Sequence, residues 1–148
     1  MADVIGLVAS IYGIIQLSGK LTQVFGGYIG GVKRAPEDIK TLRDELDSLT
    51  SVLNLLEKCA KENPLSTALQ DLCGQDKALS RCKDELEKLQ NNLVPPKSGL
   101  RGVIDRLKWP LKEKETSQYI SQIRGYTSAF NLVVSTVQVY VTCYSMDL

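Results

Sequence analysis

Apolar residues recur every three or four positions along most of the chain, which is the period of a helix. Pro36 suits the first position of a helix, and Glu37 and Asp38 suit the positive end of its dipole. The pattern therefore predicts a helix over residues 36–61. Its apolar positions are Ile39, Leu42, Leu46, Leu49, Leu53, Leu56 and Ala60.

A second apolar series predicts a helix over residues 64–93, capped by Asn63 and opened by Pro64. The series weakens at residues 74–76, where we expect a kink or looser packing. A Pro- and Gly-rich loop follows, and residues 103–109 predict a short helical piece. The members of the series are Leu65, Leu69, Leu72, Leu79, Cys82, Leu86, Leu89 and Leu93.

The last segment, residues 110–144, ends in LVVSTVQVYV, whose β-branched residues also suit a strand. We prefer a helix, because the apolar series continues through it and no second strand is available for pairing. Short polar connections between long helices favour antiparallel neighbours. The chain of 148 residues therefore predicts one all-α domain, an antiparallel bundle of four long helices plus a short connecting helix.

Residues 4–32 differ from the rest, because they hold seven glycines and a single charged residue, Lys20. On a helix these residues form two unlike faces. The large face carries Val4, Leu7, Val8, Ile11, Ile14, Ile15, Leu21 and Phe25. The opposite face carries Ala2, Gly6, Ala9, Gly13, Gln16 and Lys20. We expect the large face to be buried, with Ile123, Phe130 and Val137 as its partners.

The small residues allow two interpretations. Mid-helix glycines at Gly6, Gly13 and Gly19 cost about 1 kcal/mol each, which close helix packing within the bundle would justify. Alternatively, the small residues face outward and let helix backbones associate in lipid, where small-xxx-small patterns drive assembly. Gly6 with Ser10, and Ala9 with Gly13, have this spacing.

The uncharged residues 4–19 would form about 24 Å of helix, short of the ~30 Å hydrocarbon core of a bilayer. Extended past Lys20 to Val32, the helix would be long enough, with Lys20 lining a pore or polar interface. Such a segment suits a helix that docks on the bundle and enters a membrane when released.

Two glycine pairs, Gly26 with Gly27 and Gly30 with Gly31, are expected to end the first helix. They would form a flexible joint that lets residues 1–31 swing away from residues 32–148. An ordinary helix end followed by a loop explains the same glycines.

Composition narrows the function further. The net charge of +1 does not suit nucleic-acid binding, and the absence of histidine removes the commonest general base and zinc ligand. The cysteines have no metal-site spacing, so we expect reduced, half-buried thiols. No paired carboxylates or phosphate loop suggest catalysis, and we expect neither an enzyme nor a cofactor. The four cysteines are Cys59, Cys73, Cys82 and Cys143.

Three stretches resemble a known family: MADVIGLVASIYGIIQLSGKL, VKRAPEDIKTLRDELDSLTSVLNLLEK and GLRGVIDRLKWPLKEKETSQYISQIRGYTSAFNLVV. They are similar to the fungal N-terminal domain of STAND (NLR-like) proteins, a member of the HeLo-like group of cell-death execution domains. The resemblance covers nearly the whole chain, and RLKWPLKEKE is its most specific part.

The resemblance implies a helical bundle with a detachable, membrane-targeting first helix. It implies an upstream NLR-like receptor or fused nucleotide-binding and repeat domains, self-association, and relocation from the cytoplasm to permeabilise the plasma membrane. A non-lytic homotypic interaction module is the alternative.

A basic cluster could contact anionic lipid, or could form a solvated helix face, and Trp109 is either an interfacial anchor or a packing residue. The cluster is Lys97, Arg101, Arg106, Lys108, Lys112 and Lys114.

Overall fold

A computed structural model describes residues 3–31, 37–63, 66–73, 76–93 and 111–146. These segments form five helices and no strand, so the predicted all-α bundle is confirmed. Four helices are long and one is a single turn. They are α1 (Asp3–Gly31), α2 (Glu37–Glu62), α3 (Thr67–Gln70), α4 (Ala78–Leu93) and α5 (Glu113–Met146).

Helix α2 makes the most extensive contacts, packing against α1 and against α5. Helix α4 lies beside both α1 and α5, and α3 touches α5. In the described segments α1 and α5 are not close neighbours, so they occupy opposite corners of the bundle. Ile123, Phe130 and Val137 of α5 are buried as predicted, but the helices adjacent to the large face of α1 are α2 and α4.

The core confirms most of the predicted large face of α1. Val8 and Ile15 are only half-buried, and the side chain of Val4 lies outside those described. Every predicted apolar position of α2 is also buried, because the steps of three and four keep these side chains on one side of the helix. The buried side chains of the large face are Leu7, Ile11, Ile14, Leu21 and Phe25.

The predicted bounds of α2 and α5 agree with the structure to within a few residues. The β-branched end of α5 is helical, because Val134 and Val137 continue the buried side of the same helix. Tertiary packing here overrides the strand preference of these residues. The predicted short helix over residues 103–109 lies outside the described residues.

The prediction of one helix over residues 64–93 is wrong. Ser66 caps the single-turn helix α3, its hydroxyl accepting a hydrogen bond from the backbone N–H of Leu69. The chain then leaves the helix, and Asp76 adopts a φ of 62°, a left-handed conformation that no α-helix contains. Helix α4 begins only at Ala78.

The prediction that both glycine pairs end the first helix is also wrong. Helix α1 passes through Gly26 and Gly27 and ends at Gly31, so only the second pair coincides with its end. The buried Phe25 holds the helix to the core just before the first pair. A glycine in a helix costs only about 1 kcal/mol, which such packing offsets.

Candidate functional site

The small residues of α1 face outward. Gly6, Ala9, Ser10 and Gly13, which we call the small face, are all exposed. Their outward position follows from the large face, which turns the opposite side of the helix away from the core. Of the other residues predicted to act in membrane insertion, Lys20 is exposed and Gly19 is half-buried.

Packing inside the bundle does not require these glycines. A Cβ atom placed on Gly6, Gly13, Gly19 or Gly26 would meet no other atom within 4 Å. The close-packing interpretation therefore fails for the folded chain. The glycines leave a flat strip of helix backbone at the surface, and a second helix could approach such a strip closely.

The small face borders a groove between α1 and the start of α4. Its volume is about 320 Å³. The α1 wall is almost free of side chains, whereas α4 contributes the long side chain of Lys83 at the rim. The lining residues are Ala9, Ser10, Gly13, Ile14, Cys73, Leu79, Ser80 and Lys83.

On the inner side of α1 the structure reveals a polar contact that sequence reasoning missed. Ser18 is completely buried, and its Oγ lies 2.6 Å from Oγ1 of Thr50 on α2. The same Ser18 Oγ lies 3.3 Å from the carbonyl oxygen of Leu46, to which the Thr50 hydroxyl donates at 2.8 Å. The signal was present in the sequence, because position 18 interrupts the apolar steps between Ile14 and Leu21.

Two exposed apolar side chains on α5 were also missed. Leu132 and Val139 lie seven residues apart, on the solvent side of the helix, and are 68% and 62% exposed. Neither residue belongs to the apolar series that predicted this helix. Such residues are unremarkable singly, since much of any protein surface is apolar.

The structure describes only two residues of the predicted basic cluster. Lys112 and Lys114 are exposed at the start of α5. Lys97, Arg101, Arg106 and Lys108 lie outside the described residues, as does Trp109.

The described cysteine side chains form no disulfide with one another, and that of Cys143 lies outside the described residues. Cys59 and Cys82 are buried, and Cys73 is half-buried beside the groove. Burial raises the pKa of Cys82 to about 12, and that of Cys59 rises for the same main reason, so both thiols stay protonated near neutral pH. Within the described segments no three His, Cys, Asp or Glu side chains form a group suited to a metal ion.

Among the described helices, none combines the length and the hydrophobicity that crossing a bilayer requires. Helix α1 is 29 residues long, but its glycines and polar residues reduce its hydropathy.

Comparison with known proteins places these features in a family. Neither curated proteins nor solved structures give a match to this chain. A family model described as "Pigment biosynthesis cluster protein PigL N-terminal" matches residues 2–146. This domain occurs in fungal proteins, in agreement with the resemblance to a fungal N-terminal domain. The chain belongs to the PigL N-terminal family of pigment biosynthesis cluster proteins.

Proposed function

We propose that this domain is the N-terminal effector module of a fungal STAND (NLR-like) signalling protein and that it acts by self-association through the small face of α1. The observation that carries the proposal is the outward position of Gly6 and Gly13, where no atom of the described residues occupies the space of a side chain. Alanine would stabilise the helix at both positions, so a requirement outside the monomer fold explains the glycines better.

Self-association would be driven by the domains that follow. A receptor or fused nucleotide-binding and repeat module would bring several copies together, and this raises the local concentration of small faces. A strip without side chains lets two helix backbones approach closely enough for van der Waals contact along several turns. Clustering by the receptor would then favour assembly of the first module.

The assembled module is proposed to act in cell death by permeabilising membranes, moving from the cytoplasm to the plasma membrane. The outward side of α1 between residues 4 and 19 has no charge, which suits contact with lipid. Lys112 and Lys114 are exposed and would each contribute about 1 kcal/mol near anionic headgroups. Insertion of α1 itself requires its release from the bundle.

Release of α1 has a large cost. Five of its apolar side chains are fully buried, which corresponds to about 8–15 kcal/mol at 1.5–3 kcal/mol per side chain. That equals the stability of a typical domain, so lipid or partner copies must replace the lost contacts. This burial favours a second candidate function, a non-lytic homotypic interaction module in which α1 stays docked.

Dye release from anionic liposomes and oligomer size would test these functions. The variant Gly6→Leu/Gly13→Leu blocks the small face, and Gly125→Leu is the matched control, since Gly125 is an exposed helical glycine of α5 with equally free space. We expect the double variant to fold, to remain monomeric and to lose leakage, while the control behaves as wild type.

Two other results of the assembly and leakage assays would change the conclusion. Assembly without leakage in the wild type supports the non-lytic module. Unimpaired assembly and leakage in the double variant rules out the small face as the contact surface.

A further inference from the structure

The large face of α1 follows a regular seam in which one position is polar. The buried residues step by four and three through the helix, as in a two-stranded coiled coil. Five of the six positions are large and apolar, whereas the fourth is Ser18. The seam consists of Leu7, Ile11, Ile14, Ser18, Leu21 and Phe25.

The hydroxyls of Ser18 and Thr50 share one acceptor, the carbonyl oxygen of Leu46. Thr50 donates to this oxygen at 2.8 Å from four residues later in α2, and Ser18 approaches it at 3.3 Å. In the 2.6 Å contact between the two hydroxyls, either one can be the donor. In the part of the chain that the structure describes, the Ser18 hydroxyl links α1 to α2 at this level.

The two hydroxyls respond differently to separation of the helices. Thr50 keeps its bond to Leu46, because both belong to α2. Ser18 gains water in place of Thr50. Apolar side chains in the same position would instead expose surface to water, which costs roughly 25 cal/mol per Å². The centre of the seam is thus the part that resists opening least.

We propose that the Ser18–Thr50 pair is a weak point and register lock in the α1–α2 seam, which holds α1 in one alignment yet lets it open from α2 as a unit. A buried polar residue in an apolar helix seam specifies alignment at a cost in stability. This inference rests on the proposed function only in assigning a purpose to the opening, namely control over the release of α1.

Hydrogen exchange of the backbone amides, measured without lipid, would test the weak point. The double variant Ser18→Ala/Thr50→Val removes both hydroxyls; valine keeps the size of threonine, and alanine lacks only the Oγ atom of serine. A pair of hydrogen-bonded groups can be replaced in this way with little loss, or with a gain, in stability. We expect the amides of residues 10–25 to exchange at least tenfold more slowly, with the amides of residues 115–130 unchanged.

Two further variants control for side effects. Ser51→Ala removes an exposed hydroxyl that bonds only to Asp47 of its own helix, and it should leave exchange of α1 unchanged. Thr50→Val alone provides the readout if the double variant does not fold. Unchanged or faster exchange of α1 after loss of the hydroxyls would overturn the proposal, because the pair would then be a structural bond or irrelevant.

The outcome is separable from that of the proposed function. Slower exchange with unchanged liposome leakage would leave the weak point standing and would show that leakage does not need release of α1. If the variants show unchanged exchange and the wild type leaks strongly, the weak-point proposal is ruled out and the proposed effector function stands.

Discussion

Arg124 of α5 donates its Nε–H to a carboxylate oxygen of Glu45 on α2 across 2.6 Å. The Glu45 side chain is only 18% exposed, whereas that of Arg124 is 59% exposed. The ion pair therefore joins two neighbouring helices at the boundary between core and solvent. It lies near the start of both helices and connects residues 79 positions apart.

Replacement of this arginine should have a small, salt-dependent effect. Arg124→Gln is expected to lower the free energy of unfolding by about 0.5–1 kcal/mol, because partial exposure screens the ion pair. Urea unfolding at about 0.05 M and about 1 M salt should show the loss shrinking as salt rises. Lys40→Gln is the control, since Lys40 lies 4.0 Å from Glu37 on an exposed surface. A loss unaffected by salt would mean that packing, not charge, is responsible.

Truncation of the large face of α1 should have a much larger effect. Ile11 is 0% exposed, and Ile11→Ala is expected to lower the free energy of unfolding by about 2–5 kcal/mol, since it removes buried methyl groups and leaves a cavity. The neighbouring Tyr12 is 54% exposed, so Tyr12→Ala should change stability by no more than about 0.5 kcal/mol. Urea unfolding followed by circular dichroism measures both. Equal effects at the two positions would contradict the docked orientation of α1.

Alanine at the small face should stabilise the monomer. Gly6→Ala and Gly13→Ala are each expected to raise the free energy of unfolding by about 1 kcal/mol, because alanine favours the helix and its Cβ meets no atom within 4 Å. Gly125→Ala on α5 should give the same gain for the same reason. Thermal unfolding of the three variants provides the comparison. A loss of stability at Gly13 alone would reveal a close neighbour on that face.

Stability should decline in alkaline solution, in part through Cys82. Burial raises the pKa of this thiol from 9.0 to about 12 in the folded chain. The folded state therefore keeps the proton longer than the unfolded chain, so this contribution is complete below about pH 9 and is lost as pH rises toward 12.

The variant Cys82→Ala isolates that contribution. The wild type should lose up to about 1.4 kcal/mol more stability per pH unit above pH 9 than the variant does. Urea unfolding as a function of pH measures the two slopes. The raised pKa values of Cys59 and Tyr119 add a dependence that both proteins share. The pKa of Tyr126 is raised by burial and then by the charge of Cys82, so the variant also reduces the Tyr126 contribution. Identical slopes would contradict the assignment to Cys82.

Periodicity predicted the long helices well, but before α4 it indicated only a kink or looser packing where the helix in fact ends. Leu72 and Leu79 are seven residues apart and both are buried, so the apolar series keeps its phase although the chain leaves the helix between them. A pattern of burial cannot distinguish two helical turns from a loop that returns to the same side. The left-handed Asp76 depends on local turn geometry that the apolar pattern does not encode.

In the candidate site, too, spacing within one helix was predictable from the sequence, whereas contacts between helices were not. The helical wheel predicted that Gly6 and Gly13 lie opposite the buried face, because direction around a helix follows from spacing alone. The contact between Ser18 and Thr50 depends on how α1 and α2 align across 32 positions of sequence separation. Side-chain spacing within one helix does not contain that alignment, so only the three-dimensional structure could reveal the pair.

The placement of α1 and α5 at opposite corners has a consequence for any event that removes α1. Its departure would uncover a trough along α2 and α4, lined by leucines that α1 now shields from water. Helices α2 and α4 would thus expose apolar surface at the same moment as α1 exposes its own large face. One opening event would therefore expose two complementary apolar surfaces. The α1 helix of a neighbouring copy could fill the trough, and repetition of this domain swap would link many copies.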